Sequence, residues 1–75
     1  MQRAQARRRV FGDRLRALRL EAGLSQEELA DRSGLHRTYV SSVERGQRNI
    51  SLATIHSFAD ALGLDARDFF GEDDR

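Results

Sequence analysis

Four glycines divide the sequence into segments of helical length, and this spacing constrains the fold more than any other feature. Each stands where a helical pattern of apolar residues stops: Gly23, Gly34, Gly46 and Gly63. Glycine is the usual residue just after a helix, where the backbone turns left-handed. No segment alternates apolar and polar residues over the length of a strand. The sequence therefore predicts an all-α fold without a sheet.

The apolar spacing within the segments predicts five helices in one compact domain that spans residues 10–70. Their expected bounds are 10–21, 25–33, 37–45, 52–62 and 65–70. Ser25 and Glu28 have the spacing of a capping box at the start of the second helix. The inward-facing stripe of the fourth helix is expected to consist of Leu52, Ile55, Phe58, Ala59 and Leu62.

The residue types exclude several kinds of site. The 75 residues include no cysteine, which excludes disulfides and thiolate metal sites. His36 and His56 stand twenty residues apart, which is a poor spacing for zinc. We therefore expect no metal and no other cofactor, and no small-molecule ligand is evident. Because no apolar run reaches membrane-span or signal-peptide length, we expect a cytoplasmic protein that does not bind membranes.

The near-neutral net charge hides a strong asymmetry along the chain. Residues 1–50 carry eleven Arg and six acidic residues, a net charge of +5, whereas residues 51–75 carry two Arg and six acidic residues, a net charge of −4. A basic N-terminal part is typical of a protein that binds a polyanion, and nucleic acid is the leading candidate. Residues 1–9 are expected to be a basic arm that is flexible or adds a helical turn, and residues 71–75 a flexible acidic tail.

The third predicted helix has few apolar residues and many hydrogen-bond donors. Together with the second helix and the Gly34 turn it makes a helix-turn-helix unit, in which the later helix enters the DNA major groove. We expect Arg37 to bind guanine O6 and N7, and Thr38 to contact a thymine methyl group or a base edge. Four further residues suit phosphate contact: His36, Arg45, Arg48 and Asn49. His36 could instead meet a base, and Arg45 could stabilise the C-terminal end of its helix.

Several motifs around this unit resemble one DNA-binding family. Residues 23–30 (GLSQEELA), the pair Ser33-Gly34 and residues 40–46 (VSSVERG) resemble the Cro/repressor-type, or XRE, lambda-repressor-like helix-turn-helix domain. The resemblance covers about residues 10–70 and implies a compact five-helix fold. Residues 35–41 (LHRTYVS), with the motifs that follow them, are most similar to the controller proteins of bacterial restriction–modification systems. Those proteins act as homodimers on double-stranded DNA and regulate their own operon.

The resemblance also implies roles for individual residues. It places Ser41 and Ser42 near bases, and Gln26 and Tyr39 near phosphates. It implies that two further residues, Arg19 and Glu44, form an internal ion pair between the first helix and the third. One departure is His36, which replaces the Asp or other good N-cap usual at this position, so the start of the third helix is expected to be looser or held in another way.

Apolar residues of the last two helices supply both a core and a surface for a second copy. The candidate dimer contacts are Ile55, Leu64, Phe69 and Phe70. Because Phe69 and Phe70 are adjacent, they cannot both point inward from one helical face. One of them is therefore expected to face a partner.

Two alternatives belong to other functional classes. An antitoxin-like or other protein-interaction helical module would need an extra segment that covers its partner, and the sequence contains no long extension. An enzyme would need a nucleophile–base pair, a carboxylate pair, a glycine-rich phosphate loop or a metal cluster, and the sequence shows none. We therefore expect a non-enzymatic, sequence-specific, DNA-binding transcriptional regulator that binds a pseudo-palindromic operator as a homodimer.

Overall fold

The computed structural model describes residues 3–70, and all of their regular structure is helical. The α-helices are α1 (Arg3–Glu21), α2 (Gln26–Ser33), α3 (Arg37–Glu44) and α4 (Leu52–Leu62). Residues 66–69 form a single 3-10 turn, held by bonds from the Asp68 amide to the Asp65 carbonyl and from the Phe70 amide to the Arg67 carbonyl, each 3.0 Å. The all-α class is thus confirmed over the described range. The predicted fifth helix is a 3-10 turn, because four residues are too few for a stable α-helix.

The first helix starts earlier than the apolar pattern indicated. α1 begins at Arg3 rather than at Val10, so residues 3–9 continue the helix as additional turns. We call these seven residues the N-terminal extension. The expected flexible tail, residues 71–75, lies outside the described residues, as do residues 1 and 2. No helix among residues 3–70 is long and apolar enough to cross a membrane.

The helix ends follow the sequence signals closely. The Ser25 hydroxyl accepts a hydrogen bond from the Glu28 amide at 3.0 Å, and the Glu28 carboxylate accepts one from the Ser25 amide at 2.8 Å. The predicted capping box is therefore confirmed. Gly34 ends α2 with φ 71°, a left-handed conformation that lets the chain turn directly into α3. His36 caps α3 without a side-chain hydrogen bond to the helix start, as expected for a poor cap.

One core joins the four helices and the 3-10 turn. Its buried side chains come from every element: Phe11, Leu15, Leu18, Leu29, Ala30, Val40, Val43, Phe58, Ala59 and Phe69. The Phe11 and Phe69 rings stack with centroids 5.2 Å apart, which ties the C-terminal turn to α1. Leu52 was expected to face inward, but it is 68% exposed. The first turn of α4 contains no buried residue, so its position on the apolar stripe does not bring it to the core.

A close approach between α1 and the end of α3 depends on Gly12. A Cβ atom at this position would lie 2.5 Å from the Val43 carbonyl oxygen and 2.6 Å from that of Glu44. Such distances are far inside van der Waals contact, so only glycine allows the two backbones to lie this close. Because Gly12 does not end a helix, the sequence pattern does not predict this role. The contact fixes the angle at which α1 crosses the candidate DNA-binding helix.

Candidate nucleic-acid interface

The outer face of α3 presents cations and hydroxyl groups together. Arg37, Thr38 and Arg45 are exposed, and Ser41 is half-buried between them. Arg45 donates to the Ser41 hydroxyl and, through Nε, to the Gln47 side-chain oxygen at 3.3 Å. Within residues 3–70 the Arg37 guanidinium has no hydrogen-bond or ion-pair partner. The structure thus brings three of the four predicted base-contacting residues to one accessible surface.

Ser42 is the exception among the predicted base-contacting residues. It is buried, and its hydroxyl donates to the Tyr39 carbonyl at 2.9 Å while accepting from Arg48 Nε at 3.3 Å. The chain turns at the end of α3, where the Gln47 amide bonds to the Ser42 carbonyl at 2.9 Å. Unlike the other three residues, Ser42 does not lie on the accessible face of α3. Its side chain instead positions Arg48.

The residues assigned to phosphate contact gather mainly around the α3–α4 loop (residues 45–51). The Arg48 guanidinium lies 5.6 Å from the centroid of the Tyr39 ring, within the range of a cation–π contact. Asn49, exposed in the same loop, accepts a hydrogen bond from Arg8 at 3.1 Å. His36 lies at the other end of α3, where its Nδ1 is 3.2 Å from the Thr38 hydroxyl. Cations and amide groups therefore line the loop beside the exposed face of α3.

A buried ion pair joins α1 to the inner side of α3. Arg19 Nε lies 2.6 Å from Glu44 Oε2, and Arg19 Nη2 donates to Glu44 Oε1 at 3.0 Å, a bidentate arrangement. The hydrogen bond that Arg19 donates to the Glu44 carboxylate raises the pKa of Arg19 despite the opposing effect of burial. Gln26 donates from its side-chain amide to the same Glu44 oxygen at 3.1 Å. The pair links α1, the start of α2 and the end of α3, and it places Gln26 half-buried at the first residue of α2.

The profile of a family described as a helix-turn-helix domain matches residues 10–69. The chain belongs to the helix-turn-helix family. Control protein C.BamHI of Bacillus amyloliquefaciens is 47% identical over 62 residues, which cover 81% of this chain and 76% of that protein. The sequence-based prediction of a helix-turn-helix DNA-binding transcriptional regulator is therefore confirmed at this level.

Solved structures of helix-turn-helix proteins show the same architecture. The restriction–modification controller protein C.AhdI from Aeromonas hydrophila is 55% identical with a TM-score of 0.85, over 87% of this chain and 98% of that one. A hypothetical transcription factor from Neisseria is 45% identical with a TM-score of 0.81, over 92% of this chain and 79% of that one. The resemblance to controller proteins noted in the sequence is thus confirmed. In this helix-turn-helix protein, α2 and α3 form the helix-turn-helix motif.

The four candidate dimer contacts of the helix-turn-helix protein do not share one environment. Ile55 and Leu64 are half-buried, and Phe70 is 61% exposed. Phe69 is only 2% exposed and stacks on Phe11, so it belongs to the core of its own chain. Of the two adjacent phenylalanines, it is the one that points inward. Phe70 is the aromatic residue that faces outward.

Arg8 also contributes to this surface, although it was not among the site residues predicted from the sequence. Its Nη1 donates to the Asn49 side-chain oxygen at 3.1 Å, and its Nε donates to the Gly46 carbonyl at 3.4 Å. Both partners lie in the α3–α4 loop, so the N-terminal extension is attached to the candidate DNA-binding surface. The available signal was the run of arginines without acidic neighbours in residues 3–9.

Proposed function

We propose that the protein is a sequence-specific transcriptional regulator that binds a pseudo-palindromic operator in double-stranded DNA as a homodimer. The observation that carries the proposal is the outer face of α3. It presents Arg37 without a partner among the described residues, beside Thr38, Ser41 and Arg45, on a helix-turn-helix scaffold. Such a face offers donors to base edges and phosphates, and it displays no carboxylate, since the only acidic side chain of α3, Glu44, is buried.

In this proposal, direct base contacts come from the start and middle of α3. Arg37 forms a bidentate pair with guanine O6 and N7, and Thr38 and Ser41 contact neighbouring base edges. The backbone contacts surround them, from Gln26 at the start of α2 and from His36, Tyr39, Arg45, Arg48 and Asn49. Gln26 contributes from the positive end of the α2 dipole, where an anion is favoured.

The proposed homodimer forms through the outer side of α4 and the segment that follows it. Phe70 is largely exposed, and Ile55 and Leu64 each leave part of an apolar side chain uncovered. Covering these side chains with a second copy removes apolar surface from water. A two-fold dimer would place two α3 helices about 34 Å apart, one turn of B-DNA, which accounts for a pseudo-palindromic site.

We further propose that the regulator controls a restriction–modification operon in the cytoplasm, because C.BamHI and C.AhdI, both named as control proteins, are close to it over most of its length. The test is binding to the DNA immediately upstream of its own gene, compared with a random duplex of equal length over a salt series. We expect tighter binding to the upstream DNA, with affinity for both duplexes falling as salt rises. Absence of salt-dependent binding to either duplex would refute the proposal.

A further inference from the structure

The N-terminal extension carries a concentrated charge that the family domain does not include. The family match begins at residue 10, whereas Arg3, Arg7, Arg8 and Arg9 all precede it. The extension contains no acidic residue. Among residues 3–70, no carboxylate lies within ion-pair distance of any of its four guanidinium groups. Four positive charges therefore lie within two helical turns, and no carboxylate of residues 3–70 pairs with them.

The positive charge of the N-terminal extension lowers the stability of the first turns of α1. The first turn of α1 has no acidic residue, although the positive end of the helix dipole favours one there. Arg3 and Arg7 are also four positions apart, which places two like charges side by side on one face. The extension is thus a weak helix by itself, and a bound polyanion would relieve both repulsions.

The structure nevertheless attaches the extension to the α3–α4 loop. Arg8 spans from the helix to the Gly46 carbonyl and the Asn49 side-chain oxygen. Gly46 lies so close that a Cβ atom there would be 2.9 Å from Arg9 Cα. The side-chain oxygen of Asn49 accepts a hydrogen bond from Arg8. Its amide nitrogen, which can only donate, has no partner among residues 3–70. Arg8 therefore positions a donor in a loop already assigned to phosphate contact.

Arg7 continues the same surface. It lines a cleft of about 280 Å³ together with Arg8, Arg48 and Asn49, and the rest of the lining is apolar: Ala4, Phe11, Ile50, Ile55 and Phe70. The extension and the α3–α4 loop thus place cations on both sides of one cleft. Three side chains of the set, Arg7, Arg48 and Asn49, are exposed.

We infer that the N-terminal extension is a second contact to the DNA backbone, in which Arg3 and Arg7 bind phosphates next to those bound by Arg48 and Asn49. The inference rests on the proposed DNA-binding function and adds a set of contacts outside the helix-turn-helix motif. Phosphodiesters fit because the residues named here, Arg3, Arg7, Arg48 and Asn49, offer guanidinium and amide donors and include no carboxylate. Binding also stabilises the extension as a helix by neutralising its repulsion.

The test compares the full-length protein with the double variant Arg3→Gln/Arg7→Gln on a random-sequence duplex and on the upstream DNA. The slope of log K against log salt changes by about 0.9 for each phosphate that an arginine no longer neutralises, hence by about 1.8 for each protomer of the double variant. The single variant Arg7→Gln is paired with Arg67→Gln, which removes one exposed charge from the 3-10 turn. We expect a shallower slope from the extension variants and no change from Arg67→Gln.

Hydrogen exchange of residues 3–9 supplies an independent measurement. We expect these amides to exchange more slowly when the random duplex is added to the wild-type protein. An unchanged salt slope in Arg3→Gln/Arg7→Gln, while the wild type binds DNA, would overturn the inference and leave the proposed function intact. A changed dimerisation constant with an unchanged slope would also overturn it, because the cleft would then serve the partner copy. Failure of the wild type to bind either duplex would instead remove the proposed function.

Discussion

Arg37 and Ser42 lie five positions apart on α3, yet one side chain is exposed and the other is buried. The donor-rich sequence of the helix predicted base contact for Arg37, and the family resemblance implied it for Ser42. Neither contains information about which residues outside α3 cover the helix. The Ser42 hydroxyl accepts a hydrogen bond from Nε of Arg48, a residue of the α3–α4 loop. This contact from outside the helix distinguishes the two residues.

Replacing Arg37 with Ala tests direct base recognition. We expect a loss of about 1–3 kcal/mol in binding to the operator, with relaxed specificity at one base pair. Binding to a random duplex should fall less, because phosphate contacts remain. Titrations of both duplexes at one salt concentration measure the difference. Arg67→Ala, which removes an exposed arginine of the 3-10 turn, is the matched control, and an equal loss on both duplexes for Arg37→Ala would contradict the base-contact role.

Replacing Glu44 with Gln tests the ion pair beneath the helix. The change leaves the buried Arg19 guanidinium without a counter-charge, and removal of one partner from a buried pair costs about 3–5 kcal/mol. Urea denaturation should show this loss in the free energy of unfolding. In the double variant Arg19→Met/Glu44→Leu no charge remains buried at this position, so we expect much of the stability to return. A loss below about 1 kcal/mol in Glu44→Gln would mean that the pair contributes little.

At the scale of whole elements, the sequence was most informative about where helices end. The capping box of α2 and the glycine that ends it follow from local chemistry, and both are present in the structure. The N-terminal extension could not be predicted as helical in the same way. It has no apolar stripe, and its contacts, from Arg8 to the loop and from Gly46 to the Arg9 backbone, join segments that are far apart in the sequence.

The capping box makes a testable contribution to the pH dependence of stability. Two hydrogen bonds from Ser25 lower the pKa of Glu28. The larger effect comes from the backbone of Ser25 and the smaller from its side chain. A lowered folded-state pKa contributes stability above the unfolded-state pKa, near about 4.3 for Glu, and this contribution disappears as pH falls through the folded-state value. Unfolding of Glu28→Gln should therefore depend less steeply on pH below about 5 than that of the wild type. Glu27→Gln, a neighbour outside the box, is the control, and identical pH profiles for Glu28→Gln and the wild type would exclude this contribution.

At the scale of the whole molecule, the adjacent residues Phe69 and Phe70 have different roles. Phe69 contributes to the core, and Phe70 belongs to the proposed dimer surface. The sequence showed that they must point in different directions, but it could not say which one faces outward. The stack of Phe69 on Phe11 decides this, because it draws one ring into the core, whereas Phe70 contacts Phe11 with a tilted ring and stays 61% exposed. Phe69→Ala should therefore lower the free energy of unfolding by about 3–5 kcal/mol.

Phe70→Ala should instead preserve the fold and weaken the proposed dimer. Sedimentation equilibrium should show a larger dimer dissociation constant, while circular dichroism shows helix content like that of the wild type. Because a pseudo-palindrome needs two recognition helices at fixed spacing, operator binding should lose affinity together with the dimer. Binding to a single half-site should change little. If Phe70→Ala remained dimeric at all concentrations, the two copies would have to meet through another surface, and the exposed Leu52 of α4 would be the next residue to replace.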